Sequence, residues 1–267
     1  MNCPICQAAT AHFGDAKIMG KHPASFRRCA DCGFLFAPDP YWLPESYQSA
    51  INQTDIGSVS RADTFSRSTK AVIEFCLKDA SRFLDYGAGY GIFVRKMRDN
   101  GYPFLAYDQY CENLFASDFK LEALTDQRFD LVTAFEVMEH LIDPLETFAT
   151  IFRHADAVLF STQLVPEPAP AVGTWWYFGL DHGQHISLYT RRTLELIASR
   201  HGKSLASDGS RLHLISSRRI SSRWFRWLTG KKGAKLIELA VRRPSLLMTD
   251  FEQLRQAQLK KLGVPDN

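Results

Sequence analysis

At 267 residues the chain is long enough to bury one substantial core and to carry a small additional unit. Hydrophobic residues at 45% and charged residues at 23% match ordinary globular proteins, which excludes wholesale disorder or a fibre. A formal net charge of +3 is too small to demand a polyanionic partner, although the charge is unevenly placed. The opening MNCPICQAATAHFGDAK puts polar residues where a secretion signal has its apolar stretch, and no apolar run approaches the roughly 20 residues that cross a bilayer, so a cytoplasmic location is expected. In that reducing compartment the six cysteines read as metal ligands or buried thiols, not disulfides.

Cys3 and Cys6 make one Cys-x-x-Cys pair and Cys29 and Cys32 a second, followed at once by Gly33. Each such turn points two sulfurs to one side, and two turns together form the tetrahedral cage that zinc prefers. The segment between them suits a two-stranded ribbon. Residues 1–38 are therefore expected to be a small zinc ribbon held by a structural metal, since four thiolates leave no open position for a substrate. Residues 39–65, with APDPYWLPESY from Ala37 to Tyr47, read as a linker or a lid.

A helical apolar pattern over Ser66–Leu77 leads to a short strand, Phe83-Leu84-Asp85, and then to the loop Tyr86-Gly87-Ala88-Gly89-Tyr90-Gly91. A helix begins near Ile92 and stops at Gly101, a residue suited to the left-handed position after a helix. Glycines let the backbone approach a ligand closely, and the helix start offers free N–H groups. The spacing is G-x-G-x-G with an acidic residue ahead of it, one place shorter than the dinucleotide fingerprint. A second strand, Phe104–Tyr107, ends at Asp108, the position from which a carboxylate can accept hydrogen bonds from ribose hydroxyls. Asp143-Pro144 starts a further helix, Ala157–Ser161 reads as a strand, and Thr190–Arg200 as a helix stopped by Gly202.

With the stretch Phe129-Asp-Leu-Val-Thr-Ala-Phe-Glu-Val-Met-Glu139-His140, the glycine loop and Asp108, the chain resembles the class I S-adenosylmethionine-dependent methyltransferases over residues 66–216. The resemblance implies a Rossmann-like α/β fold, a doubly wound, seven-stranded, mostly parallel sheet. It places Asp85, Gly87, Gly89 and Gly91 by the methionine part of S-adenosylmethionine and Asp108 at its ribose. The third strand, between Phe119 and Leu124, is poorly marked, and the adenine contact stays open.

On a helical turn Glu136, Glu139 and His140 would share one face, a half-shell for a hard divalent ion. Together with His185 in Asp181-His-Gly-Gln-His185 they resemble the E-x-x-E-H site of small-RNA terminal 2′-O-methyltransferases, and a related site occurs in ubiquinone-pathway O-methyltransferases. That resemblance implies magnesium or manganese on Glu136, Glu139, His140 and His185, with His182 placed to take a proton from an acceptor hydroxyl. The alternative is a metal-free pocket lined by His140. The long loop from Pro166 to Gly183 carries Trp175, Trp176 and Tyr177, which either stack on a sugar or aromatic ring or pack against the sheet edge.

Residues 217–267 read as a basic helical extension. From Arg218 to Arg243 nine basic residues face one acidic residue, Glu238, with Trp224, Phe225, Trp227 and Leu228 interleaved. Such a segment suits an anionic membrane surface or phosphates, or else covers the catalytic domain. The reading favoured overall is an O-methyltransferase for a small hydroxylated substrate, a sugar or saccharide precursor. An RNA methyltransferase using the ribbon and basic segment is the alternative, and a non-catalytic protein that keeps the cofactor fold is the third.

Overall fold

The computed structural model describes residues 1–48 and 56–262; part of the expected linker, residues 49–55, lies outside them. The chain opens with an antiparallel hairpin, β1 (Thr10–Ile18) and β2 (His22–Cys29), turned through left-handed residues at Met19 and Gly20. The two-residue strand β3 (Leu35–Phe36) extends it. After α1 (Leu43–Ser46), the helix α2 (Ser58–Cys76) begins eight residues before the apolar pattern does, because its first two turns are mostly polar and half-exposed.

Six strands form the main sheet: β4 (Phe83–Tyr86), β5 (Phe104–Tyr107), β6 (Leu131–Ala134), β7 (Ala157–Ser161), β9 (Ser204–Ser207) and β10 (Leu212–Ser216). Their order is β5-β4-β6-β7-β10-β9, parallel from β5 to β7 and antiparallel at β10 and β9. The expected seventh strand is not formed among the described residues. Its place beside β5 holds a single bridge, Lys120 to Ala106, and the residues that follow it, 122–128, are mostly exposed. The helices α3 (Ile92–Asp99), α4 (Pro144–His154) and α5 (Arg191–Arg200) follow the expected caps: Asp143 accepts the Glu146 N–H, and Thr190 and Thr193 form a capping box.

One face of the sheet is covered by α2, α3 and α6 (Ser222–Thr229) through Val72, Ile73, Val94, Met97 and Phe225. The other is covered by α4 and α5 through Phe148, Ile151, Leu194 and Ile197, and that same core contains Cys3, Ile5, Cys29, Cys32 and Phe34. The N-terminal residues thus share a core with the sheet. The connection goes further, since β8 (Ser187–Leu188) pairs with β3 and completes a small four-stranded sheet of order β1-β2-β3-β8. Two more helices, α7 (Lys231–Ala240) and α8 (Leu247–Lys261), follow among the described residues. No helix among the described residues is long and apolar enough to cross a membrane.

Candidate active site

In an open α/β sheet the ligand crevice lies at the carboxyl ends of the strands where the winding reverses. Here the chain leaves β4 toward β5 on one side and β6 toward β7 on the other, so the crevice falls between the loops after β4 and β6. The two loops touch: a Cβ on Gly87 would stand 2.5 Å from Val137 Cγ2, and Gly87, Gly89 and Gly91 all have positive φ. A Cβ on Gly91 would lie 2.2 Å from Asn113 Oδ1. The loop is pinned by Asp108, whose Oδ2 accepts from the Gly89 N–H at 2.8 Å while Oδ1 accepts from Tyr110 and Cys111. Asp85 lies beneath, buried, accepting the Thr133 hydroxyl at 2.6 Å. Burial, with the Asp108 charge adding to it and Thr133 opposing, pushes the Asp85 carboxyl up to about 7.

Beyond the crevice the structure brings Glu139, His140 and His185 together, with one ligand atom of each within 4.8 Å of the others. Glu139 is fully buried, and neither carboxylate oxygen has a hydrogen-bond partner. Burial first, then the Glu136 charge, pushes its carboxyl up to about 8. Both imidazoles are held by one nitrogen: His185 Nδ1 lies 2.7 Å from the Tyr177 carbonyl oxygen, and His140 Nδ1 lies 2.8 Å from the Tyr47 hydroxyl. That leaves each Nε2 as the atom open to a ligand. Burial holds His140 well below its usual value and His185 down at about 4, so both rings are neutral.

Glu136 does not join the group. The helical turn is a short 3-10 segment, Met138–His140, and Glu136 precedes it with φ of 56°, a left-handed conformation that is rare outside glycine. Its carboxylate accepts from Ser161 Oγ at 2.6 Å and pairs with Arg61 at 3.5 Å. Strain of this kind gathers at functional sites. His182 stands beside His185 with ring centres 4.8 Å apart; its Nδ1 accepts the Gln184 N–H at 3.1 Å, and its ring fills the space over Gly179. In the aromatic loop Tyr177 is buried and Trp175 packs on Phe178, while Trp176 is 72% exposed.

At the other end of β8, Cys3, Cys6, Cys29 and Cys32 cluster, with Cys3–Cys32 and Cys6–Cys29 sulfurs 3.7 and 3.4 Å apart. Gln7 and Gly33, one place after each pair, adopt positive φ, the turn that lets backbone N–H groups point at sulfur; the Cys32 N–H lies 3.5 Å from Cys29 Sγ. The knuckle is wired to the crevice. Thr190 and Thr193 donate their hydroxyls to the Cys32 carbonyl oxygen, Phe34 packs on Tyr189, Tyr189 donates to the Met138 carbonyl, and the Ile186 N–H donates to that of Glu139. Nothing local in the sequence marks this wiring, nor Tyr47, Thr133 and Ser161, because each acts through a contact distant in the chain.

A comparison with family models matches residues 61–207 to one described as a methyltransferase domain. No curated protein matches. Among solved structures the chain is similar to mitomycin 7-O-methyltransferase, at 14% identity and a TM-score of 0.50, over 66% of this chain and 60% of that one. It is similar to human N-acetylserotonin methyltransferase with S-adenosylmethionine, at 10% identity and 0.44, over 67% and 66% of the two chains. A third is magnesium protoporphyrin IX methyltransferase from Synechocystis with S-adenosylmethionine bound, at 13% and 0.40, over 67% and 93%. The chain spans about three fifths of the length of the first, and at these identities the likeness is one of fold. The family match covers more than half of the sequence, and the chain belongs to the methyltransferase domain family.

Proposed function

We propose that this protein is an S-adenosylmethionine-dependent O-methyltransferase for a small hydroxylated molecule, with a sugar or saccharide precursor as the favoured acceptor class. The observation that carries the reading is the crevice between β4 and β6, where three positive-φ glycines face a buried acid and a second acid ends the neighbouring strand. The cofactor, when bound, supplies a methyl group already activated on a sulfonium. The glycine loop gives it close backbone approach, Asp108 has one lone-pair site left on Oδ2 for a ribose hydroxyl, and Asp85 offers a carboxylate to its cationic methionine end. Residues 66–216 carry this chemistry, with residues 1–38 as a zinc-bound knuckle on Cys3, Cys6, Cys29 and Cys32 and residues 217–267 as the basic helical extension.

Titration of the full chain with S-adenosylmethionine, followed by heat or fluorescence, tests this. Asp108→Ala is expected to weaken binding by at least tenfold, as loss of one hydrogen bond to a charged acceptor removes about 1.5–3 kcal/mol and the Gly89 N–H loses its anchor. The pH dependence has a definite sign. Below about 7 the Asp85 carboxyl in the free protein is protonated, and a cationic ligand must expel that proton, so affinity falls by up to about tenfold per unit as pH drops. Asp85→Asn is expected to bind weakly and to lose this slope. A wild-type chain with no affinity for the nucleoside would end the proposal.

Glu139, His140 and His185 fit a divalent ion, manganese better than magnesium, since a buried carboxyl with no partner and two neutral imidazoles form a donor set that a cation completes but one richer in nitrogen than magnesium takes. Glu136 would contribute only by leaving Ser161 and Arg61. The ion would make an acceptor hydroxyl more acidic. His182, its ring centre 4.8 Å from that of His185, would receive the proton, and His140 and His185 would orient the acceptor. Manganese binding read by paramagnetic resonance is expected at one ion per chain, lowered at least tenfold by Glu139→Gln; equal binding by the variant would remove the ion from this site.

A further inference from the structure

The helices α6 and α7 each bury one face and leave another without a use in the fold. On α6, Phe225 and Leu228 point into the core. On α7, Gly233, Ala234 and Ile237 do so, and a Cβ on Gly233 would lie 2.1 Å from the Trp227 carbonyl oxygen, so α7 sits hard against the end of α6. Both rest on α2, where Arg67 and Lys70 bind Glu238 and Ser68 donates to the Thr229 carbonyl. The opposite faces carry apolar residues that folding does not explain. Trp224 and Trp227 are 43% and 49% exposed, their rings parallel with centres 5.1 Å apart. Leu236 and Leu239, 58% and 63% exposed, share one face of α7 with Lys232 and Lys235, at the spacing i, i+3, i+4, i+7.

Charge singles out the same place. Residues 218–243 hold nine of the 32 basic residues and one of the 29 acidic ones, so the rest of the chain carries 23 basic against 28 acidic residues. The protein's positive balance therefore lies wholly in this segment. Glu238 is engaged by α2, and Arg218 and Arg243 pair with Asp79 and Glu74. Arg223, Arg226, Lys232 and Lys235 are exposed and have no carboxylate partner among the described residues.

We infer that the outward faces of α6 and α7 dock the protein peripherally on an anionic lipid surface, tryptophans and leucines entering the headgroup boundary and the lysines and arginines meeting lipid phosphates. Indole rings favour that boundary, and basic residues flanking apolar ones are the pattern of helices that lie in it. A nucleic acid would match the charge, but exposed leucines gain nothing against bases, and the two indoles stack on each other and not open to a base.

The test is co-sedimentation of the full chain with vesicles of phosphatidylcholine alone and of phosphatidylcholine mixed with phosphatidylglycerol, at low and high salt. Binding is expected only with the anionic lipid, weakened by salt. Each basic residue near such a surface contributes about fivefold, so Lys232→Glu with Lys235→Glu is expected to reduce binding at least tenfold, and Trp224→Ala with Trp227→Ala by a similar factor. The two lysines are exposed, so thermal melting of that pair should stay at the wild-type value, whereas each indole buries about half its surface and the tryptophan pair is expected to melt somewhat lower while remaining folded. Equal sedimentation with both vesicle types, retention on RNA without vesicle binding, or a dimer that dissociates on replacing Leu236 and Leu239 without vesicle binding would each overturn the inference.

Discussion

Cys32→Ser is expected to yield a chain that fails to bind zinc and does not fold stably. Structural zinc sites in small peptides are worth about 10–16 kcal/mol, and a typical domain has a margin of about 5–15 kcal/mol, so losing even part of the site consumes the margin. The effect should exceed that in an isolated finger, because Cys32 and Phe34 are buried in the core shared with β6, β7, α4 and α5. Burial pushes the Cys3 thiol up to about 11 and raises Cys32 as well, so without a cation these sulfurs stay protonated and the cage has nothing to close on. Cys76 and Cys111 lie outside the cluster, and serine at either should leave one zinc per chain. Metal analysis and thermal melting of the three variants decide the matter; a Cys32→Ser protein with a wild-type melt and full zinc content would show that the knuckle is something else.

Asp250→Ala is the second large effect. Asp250 is buried at the start of α8 and takes a bidentate grip from Arg98 on α3, at 2.6 and 2.8 Å, with Arg95 at 2.9 Å. Arg98 also lies 3.5 Å over the Phe119 ring and donates to the Phe104 carbonyl. Removing the acid leaves a buried guanidinium without its counter-charge, a change that costs about 3–5 kcal/mol. A chain of this size would lose roughly 10 °C of melting temperature. Replacing the pair together, Arg98→Met with Asp250→Leu, should recover much of that, and a single variant melting like wild type would refute the account. Burial alone would raise the Asp250 carboxyl, but Arg98 and Arg95 outweigh it and hold it below 3.8. Its folded value is thus depressed, so this stabilisation is present above pH 3.8 and is lost as pH falls through the lower folded value.

What could be read from the sequence was local. The strands at Phe83, Phe104 and Ala157, the helix begun by Asp143-Pro144, and the glycine stops at Gly101 and Gly202 each follow from neighbouring residues, and they stand where the pattern placed them. Four cysteines in two spaced pairs were also legible, because spacing fixes which way the sulfurs point. The Asp250 grip on Arg98 spans 152 residues, and the β3–β8 pairing a similar distance, so nothing local marked either. Glu136 fails the i, i+3, i+4 reading for a backbone reason: the Ser161 hydroxyl captures both its N–H and its carboxylate and bends the chain before the turn begins. The outer strand goes no further than the Lys120 bridge to Ala106, and the mostly exposed residues 122–128 after it have no alternating buried face to mark one.

The pairing of β3 with β8 also sets an order of events during synthesis. The first 36 residues leave the ribosome with their hairpin and cysteines complete, yet the strand that closes their sheet begins at Ser187. At roughly 5–20 residues per second that partner arrives on the order of 10–30 s later. Through that interval the nascent chain presents an open strand edge and the bare ring of Phe34, so metal capture by the cysteines would precede docking and hold the early segment in shape until its neighbour emerges.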